Sequence, residues 1–114
     1  MSVHLKRAYD APASSDGFRV LVDRLWPRGL TREKLRLDAW AKDLAPSNEL
    51  RKWIHGDLSR WSGFKRRYLK ELAAQPEAVA ELRKKARGTV TLIFATRDPE
   101  HNHAVVLKEY LEVS

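Results

Sequence analysis

At 114 residues the chain is long enough for one domain with a modest core and too short for two. With 43% hydrophobic and 32% charged residues it has the composition of a soluble globular protein, and no apolar run is long enough to span a membrane. The absence of cysteine excludes disulfides, thiol nucleophiles and cysteine-type metal sites, and the net charge of +7 favours anionic partners.

The N-terminus, MSVHLKRAY, lacks the apolar region of a signal peptide, so a cytoplasmic location is the expectation. Val3 to Arg7 alternates apolar and polar residues and predicts a first strand. Ala11 to Gly17 is punctuated by Pro, Ser, Asp and Gly and predicts a loop. Phe18 to Asp23 carries apolar residues on both faces, as an interior strand covered on two sides requires. Arg24, Trp26, Pro27, Arg28 and Gly29 follow in a crowded turn. Pro27 holds Trp26 extended, and Gly29 admits a positive φ.

Thr31 predicts the cap of a short helix, without a capping box because Lys34 stands where Glu would. Leu37, Ala39 and Ala41 alternate with polar neighbours and Trp40 to predict a third strand. Ser47 is placed to cap a helix whose first turn holds Glu49 and whose buried stripe is Leu50, Trp53 and Ile54, ending at Gly56. A second helix starts near Ser59 or Arg60, with Trp61, Phe64, Tyr68 and Leu72 on one face. Pro76 suits the first turn of a third helix, with Val79, Leu82 and Ala86 inward and Gly88 at its end.

Thr89 to Ala95, TVTLIFA, is β-branched and apolar on both faces and predicts a central strand. Asp98 and Pro99 then read as the cap and first position of a last helix packed by Leu107, Tyr110 and Leu111. No repeat, linker or low-complexity segment interrupts the chain. The pattern predicts a small single-domain α/β layered fold over residues 1–114, with about four mainly parallel strands flanked by helices on both sides.

In such a sheet, ligands bind beyond the carboxyl ends of the strands. Three segments leave strands: Arg24 to Arg28, Lys42–Asp43, and Thr96 to His103. If they converge, they bring together Arg24, Trp26, Arg28, Lys42, Asp43, Arg97, Asp98, His101 and His103. Arginines offer bidentate donors to phosphate or carboxylate, and a helix start after the last strand adds free N–H groups. The expected ligand is therefore an anionic small molecule held by Arg24, Arg28, Lys42 and Arg97, with Trp26 and His101 in the ligand site. His103 and Asp98 are the candidates for proton transfer. The same residues also fit a structural network in which Asp23 or Asp98 pairs with the neighbouring arginine.

No metal and no cofactor is expected. His101 and His103, two apart on one helix, point about 200° away from each other and do not chelate. There is no phosphate-cradling glycine loop and no nucleophile elbow. A second function class comes from charge: residues 47–88 hold eleven Lys/Arg against five Asp/Glu, while the remainder holds eleven against ten. A nucleic-acid-binding face built from Arg60, Lys65, Arg66, Arg67, Lys84 and Lys85 would use that excess, although a solvated basic helix face is the commoner account of such a run. No membrane partner is expected.

Four long motifs, RVLVDRLWPRGL, WAKDLAPSNELRKWIHGD, RWSGFKRRYLKEL and TLIFATRDPEHNHAVVLKEYLE, resemble in sequence and order the YeaO-like family of bacterial proteins, a domain of unknown function. The resemblance spans almost the whole chain and implies a compact α/β domain in a bacterial, cytoplasmic protein; it implies no activity. It carries over to Asp23, Arg24, Trp26, Pro27, Arg28, Gly29, Lys42, Pro46, Ser47, Asp98, His101 and His103, the same strand-end residues. Larger relatives carry cysteines around the stretch matching Ala95 to His103. This chain has none there, so thiol chemistry is not implied for it.

Overall fold

In the computed structural model, which describes residues 1–113, four strands form one sheet. They are β1 (Ser2–Arg7), β2 (Phe18–Leu21), β3 (Ala39–Trp40) and β4 (Thr89–Phe94), in the order β1-β4-β2-β3, and every pairing is parallel. The two strands richest in apolar residues on both faces, β2 and β4, take the interior positions. Val20 lies between Leu92 and Ala39, and Leu21 between Ile93 and Trp40. β3 keeps only two residues of the expected alternating stretch, because Lys42–Leu44 winds into a 3-10 turn immediately afterwards.

The two faces of the sheet are covered unequally. Val20, Val22, Val90, Leu92 and Phe94 point to one side, into a core built with Leu50, Tyr68, Leu72, Leu82 and Leu107. That side receives α2 (Asn48–Ile54), α3 (Trp61–Ala73), α4 (Pro76–Lys85) and α5 (His103–Val113). Leu21 and Ile93 point the other way, where the short α1 (Arg32–Leu35) and the chain around it supply Leu35, Trp26, Leu30, Leu37 and Trp40. Cover on both sides is therefore present, but the second layer is one helical turn and a loop.

Next to that smaller core the sheet buries polar residues. Arg19 is 4% exposed. Its guanidinium donates to the carbonyls of Leu35 and Arg36, which closes the end of α1, and to the Asp16 carboxylate. Lys6 reaches the same carboxylate at 2.9 Å, and Thr91 Oγ donates to the Asp16 carbonyl at 2.7 Å. Burial pulls the Asp16 carboxyl upward, but the N–H of Ala13 and the two cations together hold it below the ordinary carboxylate range.

The helix starts follow from their caps. Thr31 accepts the Lys34 N–H, and Ser47 accepts the Leu50 N–H at 3.1 Å, while Ser47 itself is clamped by both oxygens of Glu71 from α3. One boundary differs from expectation. Asp98 and Pro99 do not open the last helix; α5 begins at His103, and Asn102 caps it by accepting the Val105 N–H at 3.1 Å. Asp98 instead caps a preceding turn, taking the N–H groups of Glu100 and His101, each at 2.9 Å. No helix of the described residues is long and apolar enough to cross a membrane.

Candidate functional site

The parallel sheet brings all its carboxyl ends to one edge, and a cavity of about 520 Å³ opens there. Its floor is formed by the residues that leave the strands: Tyr9 after β1, Asp23 to Arg28 after β2, Ala45 and Pro46 beyond β3, and Ala95, Thr96, Asp98 and the start of α5 after β4. The corner between α2 and α3 closes the other side with Arg51, Ile54, His55, Leu58, Trp61 and Phe64.

Several bonds stitch the rim into one unit. Arg7 donates from Nε to the Thr96 carbonyl at 3.0 Å and from a terminal nitrogen to the Ala95 carbonyl at 3.1 Å. Tyr9 donates its hydroxyl to the Arg28 carbonyl at 2.9 Å. Trp26 donates to the Leu30 carbonyl at 2.7 Å and meets Trp40 edge-on, so it walls the cavity while anchoring the smaller core.

Asp23 is the junction of this edge. Its Oδ2 accepts the Ala95 N–H at 3.0 Å, and its main-chain oxygen accepts the Trp40 indole at 2.6 Å. Its Oδ1 lies 3.0 Å from His103 Nε2, and the same nitrogen is 2.9 Å from the Val22 carbonyl. The direction of the ring N–H favours the carbonyl. Asp23 Oδ1 is consequently the one buried side-chain oxygen or nitrogen among the described residues without a hydrogen bond. Below the imidazole lies Tyr68, ring edge to ring face at 6.2 Å, its hydroxyl donated to the Leu44 carbonyl. Burial pushes that phenol above its ordinary range, with the charges of Glu71 and Asp23 acting in the same direction, so Tyr68 serves only as a donor.

Of the residues singled out from the sequence, Arg24, Trp26, Arg28, Asp98, His101 and His103 line the cavity. Lys42 and Arg97 do not. Lys42 lies over the Trp40 ring, 4.0 Å from its centroid, beside a separate hollow near the β3 edge, and Arg97 projects into solvent. Arg24 is tied to the Pro46 and Ala45 carbonyls at 3.3 and 3.4 Å. Among the described residues neither Arg24, Arg28 nor Arg97 forms an ion pair with an acid, so the structural network of Asp23 or Asp98 with these arginines does not form. Asp98 is committed to its turn. The N–H groups of His101 and Glu100, joined by the His101 ring at 3.1 Å, hold its carboxyl below the ordinary range. His101 packs edge-on against Trp61, and Trp61 in turn stacks on Phe64. Because α5 begins at His103, the two histidines do not share a helix, and among the described residues no group of three or more His, Asp or Glu is arranged to hold a metal ion.

Arg51, His55, Leu58 and Tyr9 were not singled out, and Trp61 read only as core. Nothing in the periodicity of α2 or α3 says that their connecting corner folds over the strand ends. The basic helical face is engaged locally. Arg60 pairs with Asp57, Lys65 with Glu109 and Lys85 with Glu81, while Arg60 and Arg67 both lie over Trp53.

Comparison with known proteins places these residues in a family. A family model described as the inactive DUF488-N3 subclade matches residues 2–114. The chain is 42% identical to the uncharacterized protein YeaO of Escherichia coli K12 over 114 residues, covering 97% of each chain. It is 44% identical to the uncharacterized proteins Mb3100c of Mycobacterium bovis and Rv3073c of Mycobacterium tuberculosis over 110 residues, 96% of this chain and 92% of theirs. No solved structure matches. The chain belongs to the YeaO-like family, within the inactive DUF488-N3 subclade.

Proposed function

We propose that the protein binds an anionic small molecule, a phosphate or carboxylate, in the cavity at the strand ends. The observation that carries this reading is the state of the arginines. Arg24, Arg28 and Arg51 line one concave, largely apolar cavity, and none of them is neutralised by an acid among the described residues. In such surroundings a guanidinium attracts an anion more strongly than it would on an open surface. The size suits a small organic ligand. Arg28, whose head group has no partner among the described residues, and Arg24, with its position fixed by the Ala45 and Pro46 carbonyls, are the anion holders in this reading, and Trp26 is the wall.

The description of the subclade as inactive agrees with a role in binding. If a reaction is carried out, His103 is the residue to move a proton, because its ring is held in the cavity wall by the Val22 carbonyl beside Asp23, whereas His101 and Asp98 are bound to each other in their own turn. Calorimetric titration with inorganic phosphate, phenyl phosphate and benzoate tests the reading. Arg28→Ala should weaken binding by about 10-fold or more, since one charge-assisted contact is worth about 1.5–3 kcal/mol. Arg97→Ala, outside the cavity, should leave it unchanged. Equal binding by wild type and Arg28→Ala would remove the assignment.

A further inference from the structure

We propose that the ligand carries a hydroxyl or amino group as well as its anionic group, and that His103 Nδ1 accepts the hydrogen bond from it. This rests on the anion-binding reading above and narrows the class of ligand to an apolar or aromatic anion bearing a hydrogen-bond donor.

The argument begins at the other ring nitrogen. His103 Nε2 has two oxygens as neighbours, the Val22 carbonyl at 2.9 Å and Asp23 Oδ1 at 3.0 Å. An oxygen acceptor on both sides requires that Nε2 carry the hydrogen. In the neutral ring Nδ1 is then a bare lone pair. No group of the chain donates to it among the described residues, and it is not one of the buried atoms, Asp23 Oδ1 being the one buried side-chain oxygen or nitrogen there without a partner. Nδ1 is therefore the open position of an imidazole that lines the cavity.

The ring is also fixed in place, which a recognition element needs. The Val22 carbonyl and Asp23 hold one edge, and Tyr68 packs against it at 6.2 Å with its hydroxyl already committed to Leu44.

The rest of the wall specifies the body of the ligand. Trp61 stacked on Phe64, with Ile54, offers a flat apolar surface. Leu25 and Leu58 are 61% and 55% exposed at the same cavity, apolar area that a bare inorganic anion would leave uncovered. An aromatic or apolar body would cover it.

Two measurements test the inference. Calorimetry would compare phenyl phosphate with its ring-hydroxylated and ring-aminated counterparts, substituted at each ring position, with inorganic phosphate as the control without a body. At least one donor-bearing probe should bind about 10-fold more tightly than phenyl phosphate, the worth of one buried hydrogen bond. In His103→Gln, whose amide N–H can replace Nε2–H toward the Val22 carbonyl but which places no acceptor at the position of Nδ1, that preference should vanish. Binding of phenyl phosphate without any preference, or a preference that survives His103→Gln, overturns the donor assignment alone. Failure of every phosphate probe overturns the anion reading and this inference with it. Independently, nitrogen NMR of the ligand-free protein at neutral pH should show His103 as the Nε2–H tautomer; an Nδ1–H signal overturns the proposal whatever the titrations give.

Discussion

Asp23 and His103 meet at the carboxyl edge of the sheet, the first residue beyond β2 strand pairing to turn outward and the first residue of α5, with Oδ1 and Nε2 3.0 Å apart. Asp23 also takes the Ala95 N–H at the end of β4 and the Trp40 indole from β3. One short side chain and its own carbonyl thus join three strand ends and a helix. Asp23→Ala should leave the Ala95 N–H without its acceptor and remove the carboxylate beside His103, destabilising the fold by about 2 kcal/mol, read as a lower urea midpoint. Asp23→Asn keeps an oxygen for Ala95 and should recover at least half of that loss. An alanine variant as stable as the wild type would show that the junction is incidental.

The Asp16 cluster predicts how stability responds to acid. The folded carboxyl is held below its ordinary value of 3.8. A group with a depressed folded pKa stabilises the fold fully above its unfolded value, and that contribution fades as the pH falls through the folded value. Unfolding free energy should therefore fall as pH is lowered below about 4, and Asp16→Asn should flatten that limb. The variant should also lose about 3 kcal/mol at neutral pH, because Arg19 remains buried without its counter-charge. Urea denaturation series from about pH 6 to about pH 2 would check both. An acid limb as steep in Asp16→Asn as in the wild type would assign the acid sensitivity elsewhere.

Two glycines with the same backbone sign separate local strain from packing. Gly17 has φ 65°, and a Cβ there would lie 2.3 Å from the Thr89 carbonyl oxygen, where the loop before β2 crosses the start of β4. Gly29 has φ 81° with open space around it. Gly29→Ala should cost about 1 kcal/mol, the penalty of a left-handed alanine. Gly17→Ala adds a backbone collision and should cost well over about 2 kcal/mol, because sheet or loop must move. Thermal melts of the two variants would rank them, and equal losses would mean that the loop yields freely.

The parts of this architecture that could be read from the chain were those with strong local causes. TVTLIFA, apolar on both faces, could only be an interior strand, and Ser47 and Pro76 marked helix starts by their own chemistry. The last helix was placed too early because Asp98–Pro99 has the form of a cap. Asn102 supplies the competing cap four residues later, and Asp98 spends its oxygen on the intervening turn. At the site, Arg24, Trp26, Arg28 and His103 were legible because they follow strands. Lys42 and Arg97 follow strands as well, but the 3-10 turn after β3 directs Lys42 onto Trp40, and Arg97 faces solvent. Arg51, His55 and Leu58 were not legible, since their role depends on where the α2–α3 corner lands, and that is decided by packing between distant segments. The Asp16–Arg19–Lys6 cluster was missed for the same reason: three charged residues gave no local sign that two of them would be buried together.

Arg24 and Arg28 belong to one turn but should fail in different ways when removed. Arg24 holds the Ala45 and Pro46 carbonyls at 3.4 and 3.3 Å, which fixes the chain leading into α2. Arg28 offers only its main-chain oxygen to Tyr9, and its side chain is exposed at the cavity without an acidic partner among the described residues. Arg24→Ala should therefore lower both stability, by about 1–2 kcal/mol, and anion affinity. Arg28→Ala should lower affinity for phenyl phosphate by about 10-fold while leaving the urea midpoint within about 0.5 kcal/mol of wild type. Arg24→Lys separates the two jobs further. A lysine keeps the charge, but its three rotatable donors cannot reproduce a fork held by two carbonyls, so affinity should be lost through misplacement with the charge still present. Paired denaturation and titration experiments on the three variants read these outcomes directly. If Arg28→Ala destabilises the fold as much as Arg24→Ala, its side chain is a structural element and the anion site must be sought at Arg51 on the opposite wall of the cavity.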